Sequence, residues 1–259
     1  MQKFEKITSR ENQNIKLVLA LMSDNKKRKE NGLFVLEGLR LCQDAINGKF
    51  PIEYFFVSET AFNKHNETAN DFAVSASRSF IIPDSLFSKI SDTVNPQGFM
   101  FVCKISESLS ALSKKGKYIA LENLSDPSNL GAISRTAEAL GFDGLIITND
   151  SCDPFAPKAL RASMGALLRI GLMTTNSIIK TAREYGITTY SAVVHTNATP
   201  INRTSFNEGS MVIIGNEANG IKKETMEASD VLITIPMDGK AESLNAATAA
   251  SIIMWEMCR

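Results

Sequence analysis

Histidine is scarce in this chain of 259 residues: there are two, His65 and His195, and neither sits in a Ser/His/Asp or metal-ligand arrangement. A histidine-based nucleophile and a two-histidine metal site are set aside on that ground. Four cysteines (Cys42, Cys103, Cys152, Cys258) lie far apart with no CxxC pair, which fits reduced thiols rather than a disulfide or a zinc site. No Walker-type phosphate loop is present, and no apolar run approaches the roughly 18–20 residues that span a bilayer. The opening Met1-Gln-Lys-Phe-Glu-Lys has no apolar signal-peptide core. These absences predict a cytoplasmic protein with no metal and no membrane partner.

Net charge is missing too, since 28 Lys+Arg balance 28 Asp+Glu. The distribution is uneven, however. Residues 1–30 hold eight bases, Lys3, Arg10, Lys16, Lys27 and Arg28 among them, against four acids, a net of +4. From Glu208 to Arg259 the acids outnumber the bases. Counterion release rewards local rather than net positive charge, so an amino-terminal basic patch could meet phosphates. The plainer alternative is a solvated helix end, which Lys26–Lys29 alone would favour.

What is there is an ordinary globular composition, 44% hydrophobic and 22% charged, with material for one large or two medium domains. The first hundred residues read as mixed α/β. Helical spacing covers Asn14–Met22 and Leu39–Ile46, and strands are predicted at Leu33–Leu36, Tyr54–Val57 and Phe99–Ile105. Residues 106–117 are poor in large apolar side chains and rich in Ser and Lys, which predicts a linker between domains at 1–105 and 118–259. From Tyr118 strands and helices alternate to the end, several strands being continuous apolar runs. That pattern implies a mostly parallel sheet covered on both faces.

Three loops of this second half carry the chemistry. In Asn123-Leu-Ser-Asp-Pro-Ser-Asn-Leu-Gly-Ala-Ile-Ser-Arg135, Asp126-Pro127 turns the chain, and Ser128 or Asn129 can cap the following helix. Arg135, one and a half turns in, suits bidentate phosphate recognition. In Gly215-Asn-Glu-Ala-Asn-Gly220 the acid Glu217 at the third position would repel a pyrophosphate, so the glycines suit a ligand without phosphates, a plain strand–helix turn being the alternative. In Ile235-Pro-Met-Asp-Gly-Lys-Ala-Glu-Ser-Leu-Asn245 the last helix begins, with backbone N–H groups expected to be free for an acceptor. His195, after an apolar strand, is a further candidate for lining the site.

In this order and near the C-terminus, these motifs resemble those of the SpoU/TrmH family of RNA ribose 2′-O-methyltransferases, members of the SPOUT class. The matches are Asn-x-x-Asp-x-x-Asn-x-Gly-x-x-x-Arg, Gly-Asn-Glu-x-x-Gly, and Ile-Pro-Met-x-Gly with Ser-Leu-Asn. Lys158-Ala-Leu-Arg-Ala-Ser-Met-Gly165 also looks like the family. A weaker likeness at Ile7-Thr-Ser-Arg-Glu-Asn and Phe34-Val-Leu-Glu-Gly38 is to its ribosomal-protein-like substrate domain, with Glu11 where an uncharged residue is usual. The resemblance implies a C-terminal SPOUT domain with a deep trefoil knot, a homodimer, and S-adenosyl-L-methionine as cofactor. It places Gly215, Ile235 and Leu244 on the cofactor through their backbone, with Asn216, Gly220, Met237, Ser243 and Asn245 around them. Asn129, Arg135, Glu217, Ser243 and Asn245 match the family's catalytic set, with Glu217 fixing Arg135 or the loop. Arg10, Lys16, Lys27, Arg28 and Arg135 are the expected RNA contacts, with ribosomal RNA favoured over transfer RNA as substrate. Two other readings stay open: a non-catalytic RNA-binding protein on the same scaffold, and a nucleotide-dependent enzyme on an open α/β sheet.

Overall fold

A computed structural model describes residues 4–106, 109–195 and 197–259. Lys3 of the basic patch, and Glu107 and Ser108 of the linker, lie outside the described residues. The chain forms two compact units. One runs up to Ser106 and includes Phe155–Arg161; the other holds the rest, through Pro154 and again from Ala162. The expected linker is not free chain throughout. Leu112 is buried, the Leu109 N–H donates to the Leu172 carbonyl at 3.2 Å, and the Ser113 N–H donates to the Tyr118 hydroxyl at 2.6 Å.

The first unit is built on strands β1 (Phe4–Lys6), β2 (Leu33–Glu37), β3 (Ile52–Ser58), β4 (Ala76–Ile82) and β5 (Phe99–Lys104), in the order β1-β4-β3-β5-β2. β1, β4 and β3 are parallel, while β5 runs antiparallel to both β3 and β2. On one face, helix Gln13–Ser23 buries Ile15, Val18 and Leu21 against Val35, Phe56 and Phe80. Asn12 caps that helix, its side chain accepting from the Asn14 N–H at 2.9 Å. Phe55, Phe72, Phe99 and Phe101 form a second aromatic group, with ring centroids 5.2–6.1 Å apart.

The second unit carries seven strands: β6 (Lys117–Leu121), β7 (Gly144–Thr148), β8 (Leu172–Thr175), β9 (Thr188–Ala192), β10 (Thr199–Pro200), β11 (Ser210–Ile214) and β12 (Val231–Thr234). Their order is β10-β12-β9-β11-β6-β7-β8, and every pairing is parallel. Residues 210–214 and 144–148 are buried throughout, as strands covered on both faces must be. From β6 the chain moves outward through β7 to β8, while β11 and β9 fill the other side. The carboxyl ends of β6 and β11 therefore meet where the strand order reverses, the place a doubly wound sheet leaves a crevice. No helix among the described residues is long and apolar enough to cross a membrane.

Candidate active site

Leu121 and Ile214 are register partners in β6 and β11, so the loops after these strands leave side by side. Asn123 takes a left-handed turn with φ 52°, a conformation Asn tolerates better than most residues. Asp126, rather than Ser128 or Asn129, caps helix Pro127–Ala139: its carboxylate accepts from the Ser128 N–H at 2.9 Å, with Pro127 in the first turn. That releases Asn129 to face inward, where it is buried.

Glu217 joins the first two motifs. One of its oxygens accepts from the Ser125 N–H at 3.0 Å; the other accepts from the Asp126 N–H at 3.0 Å and the Asn129 amide at 2.9 Å. Its partner is thus the loop and not Arg135. Burial alone would raise this carboxyl, but the hydrogen bonds from Asn129, Ser125 and Asp126 together outweigh it and hold it below its ordinary value. The third motif is tied in through Asn129, whose carbonyl accepts from the Asn245 amide at 3.0 Å. Asn245 also caps the last helix, Ala246–Glu256, by accepting from the Ala247 and Thr248 N–H groups at 2.9 and 3.2 Å. Those amides are consequently occupied, contrary to the expectation that they await an external acceptor. Asn216 adds a second tie, donating to the Asn123 carbonyl at 2.8 Å and the Ser125 hydroxyl at 2.7 Å.

Sequence reasoning missed Glu122. It is 4% exposed, and its carboxylate accepts from the Lys222 N–H at 2.7 Å and the Thr225 hydroxyl at 2.5 Å. The far end of the glycine loop is thereby fixed to the same strand end as its beginning. A lone acid closing an apolar run is the only signal a sequence offers for such a residue.

Against the outer side of the glycine loop lies a cavity of about 630 Å³, within the range of small-molecule sites. Gly215, Asn216, Gly220, Ile235, Met237, Ser243, Leu244 and Asn245 all line it, as does Glu217. Ala192, Val193 and Val194 close one side and Ala249 and Ile253 of the last helix another, none of which the motifs announced. His195 does not line it; the ring accepts from the Asn197 N–H at 3.2 Å. A Cβ on Gly215 would stand 2.2 Å from the Gly220 carbonyl carbon and 2.3 Å from the Ile221 nitrogen, so only glycine fits.

Arg135 stands apart. It follows Asn129 by six residues, about 9 Å along the helix and about 120° around it. It is exposed, lines a separate recess with Ala132, Thr136 and Ala162, and pairs with no described residue. The expected RNA contacts of the first unit fare unevenly. Arg28 is buried and donates to the Leu21 carbonyl at 2.5 Å, so it is withdrawn as a phosphate contact. Lys16 pairs with Glu11 at 2.5 Å and Lys27 with Glu30 at 2.8 Å, while Arg10 is exposed with no hydrogen-bond partner among the described residues. Among the described residues no group of three His, Cys, Asp or Glu could hold a metal ion.

An α/β unit with a parallel sheet and a composite site at its switch point has many known hosts, and similarity narrows them. Residues 116–255 match the SpoU rRNA Methylase family and residues 12–100 an MRM3-like substrate binding domain. The chain belongs to the SpoU rRNA methylase family. It is 28% identical over 256 residues to the 23S rRNA (guanosine(2553)-2′-O)-methyltransferase RlmP of Bacillus subtilis, covering 98% of this chain and 99% of that one. The crystal structure of an AdoMet-bound rRNA methyltransferase from Sinorhizobium meliloti superposes with a TM-score of 0.87 at 26% identity, covering 98% and 97% of the two chains. A structure concerned with 2-OH methylation of C/U34 on tRNA is also 26% identical, with a TM-score of 0.50. It covers 54% of this chain and 93% of its own.

Proposed function

We propose that the protein transfers a methyl group from S-adenosylmethionine to a ribose 2′-hydroxyl of RNA, with 23S ribosomal RNA as the substrate. The observation that carries this reading is that two sequence-distant motifs, 215–220 and 235–245, line one cavity that has no phosphate cradle, while the third, at 123–129, holds the glycine loop in place. Its lining fits a cofactor that is apolar along one side, held by backbone, and free of phosphates. Bound there, S-adenosylmethionine supplies an electrophilic methyl on a sulfonium centre. Gly215, Ile235 and Leu244 would hold it through their backbone, with Asn216, Gly220, Met237, Ser243 and Asn245 around them. Glu217, Asn129 and Asn245 keep the wall in shape, and Ser243 presents its hydroxyl toward the ribose.

Arg135 serves as a phosphate clamp that orients the 2′-hydroxyl. A base role is set aside because a guanidinium is not deprotonated in proteins. Positioning of this kind contributes roughly several kcal/mol. Because Arg135 opens away from the cavity, we assign the complete site to a homodimer, in which one protomer's clamp serves its partner's cofactor. The same reading includes the trefoil knot, a cytoplasmic location, and a division of labour between an RNA-recognition domain at 1–105 and a methyl-transfer domain at 118–259. Support for ribosomal over transfer RNA comes from coverage. The likeness to two rRNA methyltransferases extends over both units, whereas the tRNA-related structure covers about half of this chain.

The test is transfer of labelled methyl to total bacterial RNA, separated into ribosomal and transfer pools and digested to nucleosides. Label in a ribosomal 2′-O-methylnucleoside is expected, and an Arg135→Ala control should bind S-adenosylmethionine yet transfer nothing. Label in transfer RNA would overturn the substrate. Cofactor binding with no label in any RNA would favour the binding-only alternative.

A further inference from the structure

The first unit offers two edges to a ligand, and they differ in the loops they present. Strand register brings the ends of β1, β4 and β3, the start of β5 and the end of β2 to one edge. Among the connections that meet there are residues 7–12, residues 38–40 and residues 91–98. Several cations toward the other edge are spent within the unit, although Lys29 and Lys49 remain exposed there. Lys104 pairs with Glu53 at 2.7 Å and Arg78 with Glu5 at 2.8 Å; Lys26 and Lys27 share Glu30, and Arg28 is buried.

At the first edge the 91–98 connection is fixed from both ends. Glu37 accepts from the hydroxyls of Ser91 and Thr93, the latter at 2.6 Å, and from the Asp92 N–H at 3.1 Å. Asp92 accepts from Arg161 at 2.6 Å, on the Phe155–Arg161 segment of the same unit. Gln97 accepts from the Leu39 N–H at 2.9 Å. Gly98 sits at φ 80°, and a Cβ there would stand 2.5 Å from the Ala61 Cβ. A loop held in this way nevertheless presents Val94 96% exposed, with Asn95 and Gln97 exposed beside it. Next to Leu39 stands Arg40, exposed and with no partner among the described residues; Arg10, exposed and near enough to Glu11 to help lower its carboxyl, occupies the far side of the sheet. Four inter-strand spacings separate the two guanidinium-bearing segments by about 19 Å.

We propose that this edge grips unpaired nucleotides of the substrate RNA. Val94 packs on an exposed base, the amides of Asn95 and Gln97 meet its polar rim, and Arg40 and Arg10 hold phosphates to either side. An apolar side chain can reach a base face only where the base is unstacked, which selects loops and bulges over duplex. The inference rests on the proposed RNA substrate and adds where, and in which form, that RNA is held.

The experiment uses the full-length protein and protein-free large-subunit ribosomal RNA at fixed salt. Val94→Asp and Arg40→Glu are compared with Lys26→Glu and Lys29→Glu at the other edge. The first pair should each weaken RNA binding about tenfold or more and raise KM for RNA, and Arg40→Glu should reduce the salt dependence by about one phosphate contact. Neither should change S-adenosylmethionine affinity or kcat at saturating RNA, two readouts that a damaged fold would move. The lysine pair should stay within about threefold. A loss confined to the lysine variants, equal losses from both edges, or no loss from either would overturn the assignment. If the wild-type protein binds S-adenosylmethionine but no RNA, the functional reading falls as well, which separates the two failures.

Discussion

Between Gly215 and Lys222, the first wall of the cavity is held along its length. Asn216 and Glu217 tie it to residues 123–129, and Glu122 takes the Lys222 amide. The second wall, Ile235 to Leu244, makes no hydrogen bond to any described residue, and residues 238–244 are exposed. One ligand would therefore meet a preformed face on one side and a face without anchors on the other. Preorganised contacts contribute affinity without an ordering penalty, whereas an unanchored loop surrenders conformational freedom when it closes on a ligand. The difference predicts that the first wall determines whether the cofactor binds, and that the second modulates how tightly.

Gly215→Ala should give the largest effect. The added methyl meets backbone atoms of Gly220 and Ile221, which cannot swing aside as a flexible side chain would. Overpacking of that kind costs about 1–3 kcal/mol, or roughly 5- to 150-fold in S-adenosylmethionine affinity where the strain falls on the bound form. Calorimetric titration would show it, and an unchanged affinity would mean that the first wall is not preformed.

Glu217→Gln is the intermediate case. The amide NH₂ must face either the Ser125 N–H or the donors on Asp126 and Asn129, which leaves at least one donor unpaired. Solvent access limits the loss to about 1 kcal/mol. The pH dependence has a definite sign. Because the folded carboxyl lies below its ordinary value of 4.5, its stabilisation is complete above pH 4.5. It is lost as pH falls through the lowered folded value. Thermal unfolding of the wild type should show this acid dependence, and Glu217→Gln should lack its share of it. Identical pH profiles for the two proteins would remove Glu217 from its role as a tie.

How much of this was legible in the sequence follows from the same physics. β11 is a run buried on both faces, so composition alone located it. β4 is not legible as a strand because Ser77, Arg78 and Ser79 interrupt its apolar pattern. Arg78 satisfies itself sideways, on Glu5 of the neighbouring strand and over the Phe80 ring at 5.0 Å. Helix Asn25–Asn31 reads as a run of charge, and nothing in its composition distinguishes Arg28, drawn inward to a carbonyl, from the lysines around it. At the site, residues contiguous in a motif could be read, while the direction each faces could not. Asn129 and Arg135 share one motif and one helix, yet helical phase turns one toward Glu217 and the other away. Glu122 meets partners 100 and 103 residues later, a pairing no local pattern encodes.

The smallest effect is also the sharpest test of the contrast, because it repeats the first substitution on the other wall. A Cβ on Gly239 would find nothing within 4 Å, and its φ lies outside the left-handed region. Gly239→Ala should therefore leave stability within roughly 0.5 kcal/mol of the wild type. If closing this wall requires it to give up freedom, alanine removes some of that freedom beforehand, an effect of about 0.4–1 kcal/mol. S-adenosylmethionine affinity should then rise about two- to fivefold, with the gain appearing in the entropy of binding. A tenfold loss would show instead that the second wall needs glycine in its closed form, and that its lack of anchors in the free protein reflects a built-in constraint rather than slack.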